Sequence, residues 1–196
     1  SLDALDRVHI QRGFSLLFPP ELMGSHIGAP SAHTTKRTHR LGFRAAAAIF
    51  GAFGIEWNLL NADEDQLREI ESVVKLHKRF RPLLHTGCAK RIDHPDKTID
   101  AHAVVANDSS EALVAITRVS SSHTMRSASV RVHGLEDEQV YTLEMLQDLL
   151  EPLGGAHAQP EWTESGASMQ LTGRHLRVAG FVLPEMVPES VVLVHL

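Results

Sequence analysis

The chain has 196 residues, of which 43% are hydrophobic and 22% are charged, so it has the composition of an ordinary globular protein. Its formal net charge of -5 at pH 7 argues against nucleic-acid binding, because proteins that bind nucleic acid need a basic surface to neutralise phosphates. No apolar stretch approaches the roughly 20 residues that a membrane span requires, so we expect neither nucleic acid nor a membrane among its partners.

The cysteine count indicates the redox compartment of the protein, and the first residues indicate how the chain originates. The single cysteine, Cys88, rules out an intramolecular disulfide and favours a reducing compartment, so we expect the protein in the cytoplasm. The sequence has neither an initiator methionine nor a charged-then-apolar signal segment at its start. We therefore expect Ser1 to result from a cut within a longer protein.

The first 57 residues alternate between helical and strand-like patterns. Apolar residues at helical spacing predict a helix over residues 3–18, which ends before Pro19 and Pro20 because a residue that precedes proline disfavours the helical conformation. The following predicted elements are a strand over residues 22–26, a polar loop rich in His and Thr, a helix over residues 41–50 and a strand over residues 51–57. These two β/α repeats predict a parallel sheet, because parallel neighbours need a crossover helix.

A long amphipathic helix is predicted over residues 62–84. Asn61 and Glu64 have the three-residue spacing of a capping box, so we expect them to begin this helix. Acidic residues follow at its start, and basic residues near its end complement the helix dipole. The basic residues are Lys75, Lys78, Arg79 and Arg81. This position accounts for the basic run structurally, and we prefer it to contact with nucleic acid.

From residue 86 onward the chain changes to strand-like runs separated by polar and Gly/Pro turns, so we predict two domains, residues 1–85 and residues 86–196. The predicted strands cover residues 101–106, 113–119, 140–146, 175–178 and 191–196. Ala128, Val130 and Val132 alternate with polar residues, which is typical of a strand with one buried face. Six or more short strands with this spacing predict an antiparallel sandwich, so the fold class is α/β plus all-β.

Several blocks of the sequence carry a resemblance to a known family. The blocks are DALDRVHIQRG from Asp3, MGSHIGAPSAHTT from Met23 and RAAAAIFGAFGIEW from Arg44, and, later, SSEAL from Ser109, VHGL from Val132 and LTGRHL from Leu171. The first three resemble the closing third of the catalytic barrel in the α-galactosidases of glycoside hydrolase family 36, and the last three resemble that family's terminal sandwich. The resemblance implies the last two β/α units of a (β/α)8 barrel, followed by a C-terminal antiparallel β-sandwich.

The resemblance also implies an activity, namely cleavage of terminal α-linked galactose from oligosaccharides of the melibiose and raffinose type, without a metal or an organic cofactor. Transfer of galactose between sugars in place of hydrolysis stays open. A retaining glycosidase needs two carboxyl groups about 5 Å apart, at the carboxyl ends of barrel strands. In the family the general acid/base is the first aspartate of an S-D-x-x-D-A motif, and Asp3 and Ala4 match only its last two letters. Both catalytic aspartates are therefore expected upstream of Ser1, and the chain alone is expected to be inactive. Asp3 is a weak candidate for catalysis, and we expect it to cap the following helix.

Three residues are expected to line the substrate pocket: Ser25, His26 and His33. His26 ends the predicted seventh barrel strand and His33 lies in the following loop, so either could reach a sugar hydroxyl. His33 and His39 could equally be solvated or bonded to the backbone. We expect no metal site, because the three histidines are seven and six residues apart, which matches no common ligand pattern.

Two other functions remain open. A carbohydrate-binding module predicts several exposed aromatic residues, but the predicted sandwich holds only Tyr141, Trp162 and Phe181. Trp162 could be an exposed contact or a core residue, and Trp57 could stack on a sugar or pack in the core. A structural or oligomerisation fragment is the other possibility, because a quarter of a barrel leaves open strand edges and apolar helix faces. We therefore expect a homo-oligomer, with a galactose-containing oligosaccharide as the other partner.

Overall fold

The computed structural model describes residues 1–122, 129–146, 159–164 and 166–196. Within these ranges the helices are α1 (Ala4–Phe14), α2 (Leu41–Ala48), α3 (Glu64–Thr86) and α4 (Gly173–Val178). The strands are β1 (Gly24–Gly28), β2 (Ala52–Glu56), β3 (Cys88–Ile92), β4 (Ile99–Val105), β5 (Ala112–Arg118), β6 (Val140–Met145), β7 (Met169–Thr172) and β8 (Ser190–His195). Short 3-10 helices lie at Pro20–Leu22, Leu59–Asn61 and Glu161–Thr163.

The two strands of the first part, β1 and β2, pair in parallel with His26 opposite Gly54. Helix α2 connects them and packs on one face of the pair. Because side chains alternate along a strand, Ser25 and Ile27 lie on the buried face towards the helices, whereas His26 and Glu56 lie on the opposite face. This is the β/α arrangement that the sequence predicts.

The second part is built on one six-stranded antiparallel sheet with the strand order β3-β4-β5-β8-β6-β7. A second layer covers one face of this sheet, and it includes an antiparallel bridge between Val130 and Phe181. Both of these side chains belong to an apolar cluster that contains Val114 and Val194 of the sheet. The predicted fold class, the end of a (β/α)8 barrel followed by an antiparallel β-sandwich, is confirmed.

The other face of the six-stranded sheet shares its core with the barrel-like part. Phe43 of α2 and Val73 of α3 belong to the same buried cluster as Leu113 of β5 and Leu193 of β8. Burial of each such side chain contributes roughly 1.5–3 kcal/mol. The two parts therefore depend on each other for stability, and the division at residues 85 and 86 stays a prediction.

The residues that cap the start of α3 differ from those predicted. Asp63 Oδ1 accepts a hydrogen bond from the Gln66 N–H at 2.8 Å, and Gln66 Oε1 accepts one from the Asp63 N–H at 3.1 Å, so these two residues form the capping box. The prediction of Asn61 and Glu64 is wrong, because Asn61 belongs to the preceding 3-10 helix and Glu64 is already the first helical residue.

Several predicted elements of the second part also differ. The predicted strand over residues 175–178 is wrong, because these residues lie in α4, where Thr172 Oγ1 accepts from the His175 N–H at 3.2 Å as the N-cap. The strands β3 and β7 have no counterpart among the predictions. Val130 and Val132 are fully buried, as their alternation predicts, but within the described ranges the pairing of Val130 with Phe181 is an isolated bridge and not part of a strand. Residue 128 lies outside the described residues.

Candidate functional site

The candidate site lies at the carboxyl ends of β1 and β2, on the face that the helices leave uncovered. In barrels of parallel strands this end carries the functional side chains. His26 Nδ1 lies 3.6 Å from Glu56 Oε2, and the two side chains are 40% and 62% exposed. The pair thus presents an imidazole and a carboxylate side by side on an open surface.

Gly54 makes this placement of His26 possible. A Cβ atom at residue 54 would collide with the His26 ring, whereas the bare glycine backbone leaves room for it. The pocket assignment of His26 stays a prediction, and its position on the open face is compatible with it. Glu56 is not among the residues predicted to line the pocket, although it lies two positions after Gly54 in a predicted strand and therefore on the same face.

Ser25 lies on the other face of β1 and is completely buried. Its hydroxyl accepts a hydrogen bond from Gln11 Nε2 at 2.9 Å and donates to the carbonyl of Ala47 at 3.4 Å. These bonds tie β1 to α1 and α2. The expected contact of Ser25 with substrate stays a prediction, and this placement gives it no support.

Asp3 is the N-cap of α1, and its side chain is fully buried. The carboxylate accepts from the backbone N–H groups of Leu5 at 2.9 Å and Asp6 at 3.1 Å. It also accepts from the Thr35 hydroxyl and from Arg37 Nη1, the latter at 3.0 Å. Burial by itself would raise the pKa of this carboxyl, but the hydrogen bonds and the Arg37 charge outweigh burial and hold the pKa below its ordinary value.

The β1–α2 loop, residues 29–40, leaves the carboxyl end of β1 and turns back on itself. An antiparallel bridge joins Ser31 to Thr38, and the Ala32 N–H donates to the carbonyl of Arg37 at 2.9 Å. Lys36 closes the turn in the left-handed region with φ 62°. His33 is exposed near the tip of this loop, where its ring is open to solvent.

His39, at the end of the same loop, is buried. Its Nε2 lies 3.0 Å from Glu189 Oε2, and its ring centroid lies 4.8 Å from that of Phe43. The histidine therefore connects the loop to the sandwich. It contrasts with His33, which faces solvent.

Arg44 of α2 closes the base of the loop. Its side chain is buried and donates to the carbonyls of Gly28 and His39. Burial lowers the pKa of this guanidinium to about 10, an effect that the charge of Glu69 partly opposes. The Arg44 guanidinium carbon lies 5.3 Å from the ring centroid of Trp57, so a cation covers one face of this partly buried ring, which also packs against the core.

A separate cavity of about 60 Å³ lies at the opposite, amino ends of β1 and β2, between α1 and the β3–β4 edge. Arg12 contacts Asp100 at 3.3 Å beside it, and the rings of Phe50 and His102 meet edge to face at 4.5 Å. Burial lowers the pKa of His102, against the raising effect of the Asp100 charge. This cavity is not continuous with the site formed by His26 and Glu56, since it opens at the other end of the strands.

Trp162 is a core residue of the sandwich. It is 5% exposed, and its ring meets that of Phe181 edge to face at a centroid distance of 5.5 Å. Of the two alternatives that the sequence left open for Trp162, the core position is therefore the observed one.

In the parts of the chain that the structure describes, no group of three or more His, Cys, Asp or Glu side chains is arranged to hold a metal ion. Among the same residues, no helix combines the length and apolar character needed to cross a bilayer.

Both parts of the chain match models of known protein families. The family model described as Melibiase matches residues 1–87, and the model described as Glycosyl hydrolase family 36 C-terminal domain matches residues 99–196. The α-galactosidase of Escherichia coli is 36% identical over 199 residues, which cover 99% of this chain and 28% of that protein. The bifunctional α-galactosidase/sucrose kinase AgaSK of Mediterraneibacter gnavus is 29% identical over 182 residues, 91% of this chain and 20% of that protein.

A solved structure agrees with these matches. The crystal structure of a variant of the α-galactosidase AgaA from Geobacillus stearothermophilus, in complex with raffinose, superposes with a TM-score of 0.80 at 27% identity over 98% of this chain. The match covers 24% of that protein. The chain therefore spans about a quarter of the length of the relatives it matches.

Proposed function

This chain belongs to glycoside hydrolase family 36, and we propose that the whole protein of which it is part hydrolyses terminal α-linked galactose from oligosaccharides by a retaining mechanism. The observation that carries the proposal is the 36% identity to an α-galactosidase across both the barrel-like part and the sandwich. A relative has been crystallised with raffinose and with stachyose. We extend this substrate class, galactose-containing oligosaccharides of the melibiose and raffinose type, to the whole protein.

The hydrogen bonding and the pKa of Asp3 support the proposal that this carboxylate is not one of the two catalytic groups. A retaining glycosidase uses one carboxylate as nucleophile and one carboxyl group as acid and then base. A general acid works best with a pKa near the operating pH, whereas Asp3 has a lowered pKa and is saturated with hydrogen bonds. In this proposal both catalytic carboxylates come from other parts of the whole protein. The present chain supplies pocket wall through the His26–Glu56 face and the β1–α2 loop.

The test is hydrolysis of an aryl α-galactoside by two purified samples, the 196-residue chain and the whole protein, each with its intact mass verified. The whole protein is expected to turn over the substrate and to release the α-anomer of galactose first, which NMR detects. The chain alone is expected to give no turnover. A folded whole protein that leaves α-galactosides intact, or that releases the β-anomer first, would overturn the proposal.

Self-association is a further part of the proposal. Apolar side chains after α1 are largely exposed, namely Leu16 (64%), Leu17 (82%), Phe18 (51%) and Leu22 (67%). Such a surface favours contact with a second copy, so the purified 196-residue chain is expected to elute as an oligomer. Leu17→Glu is expected to shift it towards monomer, and a wild-type chain that is already monomeric at dilute concentration would contradict this.

The proposed setting is the cytoplasm, with neither nucleic acid nor a membrane as a partner. The support is the single free cysteine, Cys88, which is exposed, together with the net charge of -5. Cell fractionation with an antibody against the chain tests the setting, and recovery of the protein in the secreted fraction would contradict it.

A further inference from the structure

The β1–α2 loop is held from two sides by residues that lie far from it in the sequence. We infer that Asp3 and Glu189 are positioning residues that fix this loop as a wall of the substrate pocket, so that the sandwich helps to set the affinity for the galactoside. The inference rests on the proposed function, because it assigns the loop to that pocket. The loop follows the carboxyl end of the parallel strand β1, and this is the end at which barrels bind substrate.

The first anchor is the carboxylate of Asp3. This one buried group caps α1 and also accepts hydrogen bonds from Thr35 and from Arg37, both in the loop. Hydrogen bonds to a charged acceptor are stronger than those between neutral groups. A single carboxylate therefore links the start of α1 to Thr35 and Arg37 of the loop.

The second anchor is the pair of His39 and Glu189, which are separated by 150 residues in sequence. The His39 side chain is only 5% exposed. Glu189 has φ 57°, and its backbone N–H donates to the carbonyl of Arg118 at 2.7 Å. The left-handed region is unfavourable for a residue other than glycine, so contacts with the surrounding structure must hold Glu189 in this conformation. The turn before the central strand β8 therefore holds this carboxylate against His39 of the loop.

The base of the loop is closed as well, since Arg44 bonds to the carbonyls of Gly28 and His39. Residues 31, 33–36, 38 and 40 of the loop are exposed, and the longest exposed stretch, residues 33–36, begins with His33. A segment fixed at its base and on both sides, with an exposed polar tip, has the form of a preorganised binding wall. If the anchors served only the fold, their loss would lower stability without changing affinity.

The sandwich offers a matched control for the second anchor. Glu111 forms a similar pair with His195, with Nε2 and Oε2 3.1 Å apart, and it is 44% exposed compared with 40% for Glu189. His195 lies at the end of β8, whereas Glu189 precedes its start, so the two pairs are separated by roughly 15–20 Å along the strand. Glu111→Ala therefore removes the same type of pair away from the loop.

The experiment compares Glu189→Ala, Glu189→Gln and Glu111→Ala in the whole protein, with kcat and KM for an aryl α-galactoside and with the melting temperature. Glu189→Ala is expected to raise KM by about fivefold, with kcat within about twofold of wild type, because it loosens binding and not the chemistry. Glu189→Gln keeps an acceptor for His39 and is expected to restore most of the affinity. Glu111→Ala is expected to leave KM unchanged. Equal KM values for Glu189→Ala and Glu111→Ala would overturn the inference.

A second measurement is independent of activity. Hydrogen exchange of the whole protein reports on the Ala32 and His39 amides, which donate to the carbonyls of Arg37 and Pro30. Both amides are expected to exchange faster in Glu189→Ala and in Thr35→Val, which removes one of the two loop contacts of Asp3 and leaves the cap of α1 intact. Unchanged exchange would refute the anchoring even if the whole protein proved to have another activity. Faster exchange with an unchanged KM would refute the role in binding.

Discussion

The imidazole of His26 on β1 lies over the backbone of Gly54 on β2, in space that a side chain at residue 54 would occupy. The absence of a Cβ at Gly54 therefore determines where the His26 ring can lie. Because the ring is also within 3.6 Å of Glu56, the glycine and the carboxylate together place His26 on the open face of the strand pair.

Gly54→Ala is expected to destabilise the protein by roughly 1–3 kcal/mol, because the added methyl group must displace the His26 ring or separate the strands. The measurement is denaturant unfolding of variant and wild type. Gly13→Ala is the control, because a Cβ at residue 13 meets nothing within 4 Å. In this helical position alanine is expected to stabilise by about 0.5–1 kcal/mol. A Gly54→Ala variant as stable as Gly13→Ala would contradict the packing described.

The sequence alone predicts elements that have a strong local period. It does not predict contacts between segments that are distant along the chain. The period of α3 and its apolar face predict a helix that the structure contains. Residues 175–178 alternate like a strand, but the hydrogen bond from Thr172 starts a helix there. The strand β3 lies at the edge of the sheet with mostly exposed side chains, so it has little apolar alternation to recognise. The His39–Glu189 pair depends on the tertiary fold, which no local pattern encodes.

The capping box of α3 tests whether local sequence spacing identifies the residues that begin a helix. Asp63→Ala is expected to cost about 1 kcal/mol in the free energy of unfolding, because it leaves the Gln66 N–H without its acceptor. Asn61→Ala, the residue that sequence spacing favoured, is expected to change stability by less than about 0.5 kcal/mol. Thermal unfolding of the two variants separates the assignments, and a larger loss for Asn61→Ala would restore the original prediction.

His77 is expected to make the protein less stable in mild acid. It is buried, and its ring stacks on Phe53 at a centroid distance of 4.5 Å. Burial lowers the pKa of His77, the charges of His85 and Arg81 lower it further, and a hydrogen bond to the Ile49 backbone opposes them. Because the folded pKa lies below the ordinary value near 6.5, the unfolded chain binds the proton more readily. Stability is therefore lost as the pH falls below about 6.5.

The corresponding experiment measures the free energy of unfolding of wild type and His77→Gln at pH 7.5 and pH 5. Each unit of difference between the folded and unfolded pKa is worth about 1.4 kcal/mol, so the wild type is expected to lose more stability over this interval than the variant does. His9→Gln, at an exposed position of α1, is the control and is expected to lose as much as wild type. Parallel pH profiles for wild type and His77→Gln would exclude His77 as the cause.

Because Ser25 and His26 point to opposite faces of β1, we expect substitution of Ser25 to affect stability and substitution of His26 to affect substrate binding. His26 lies on the open face of β1, so His26→Ala in the whole protein is expected to raise KM for an aryl α-galactoside with little loss of stability. The Ser25 hydroxyl bonds to Gln11 and to Ala47 on the helix side. Ser25→Ala is therefore expected to cost about 1 kcal/mol in the free energy of unfolding and to leave KM unchanged. If Ser25→Ala instead raised KM as much as His26→Ala, both residues would belong to the pocket, and the strand would have to turn its buried face towards substrate in the whole protein.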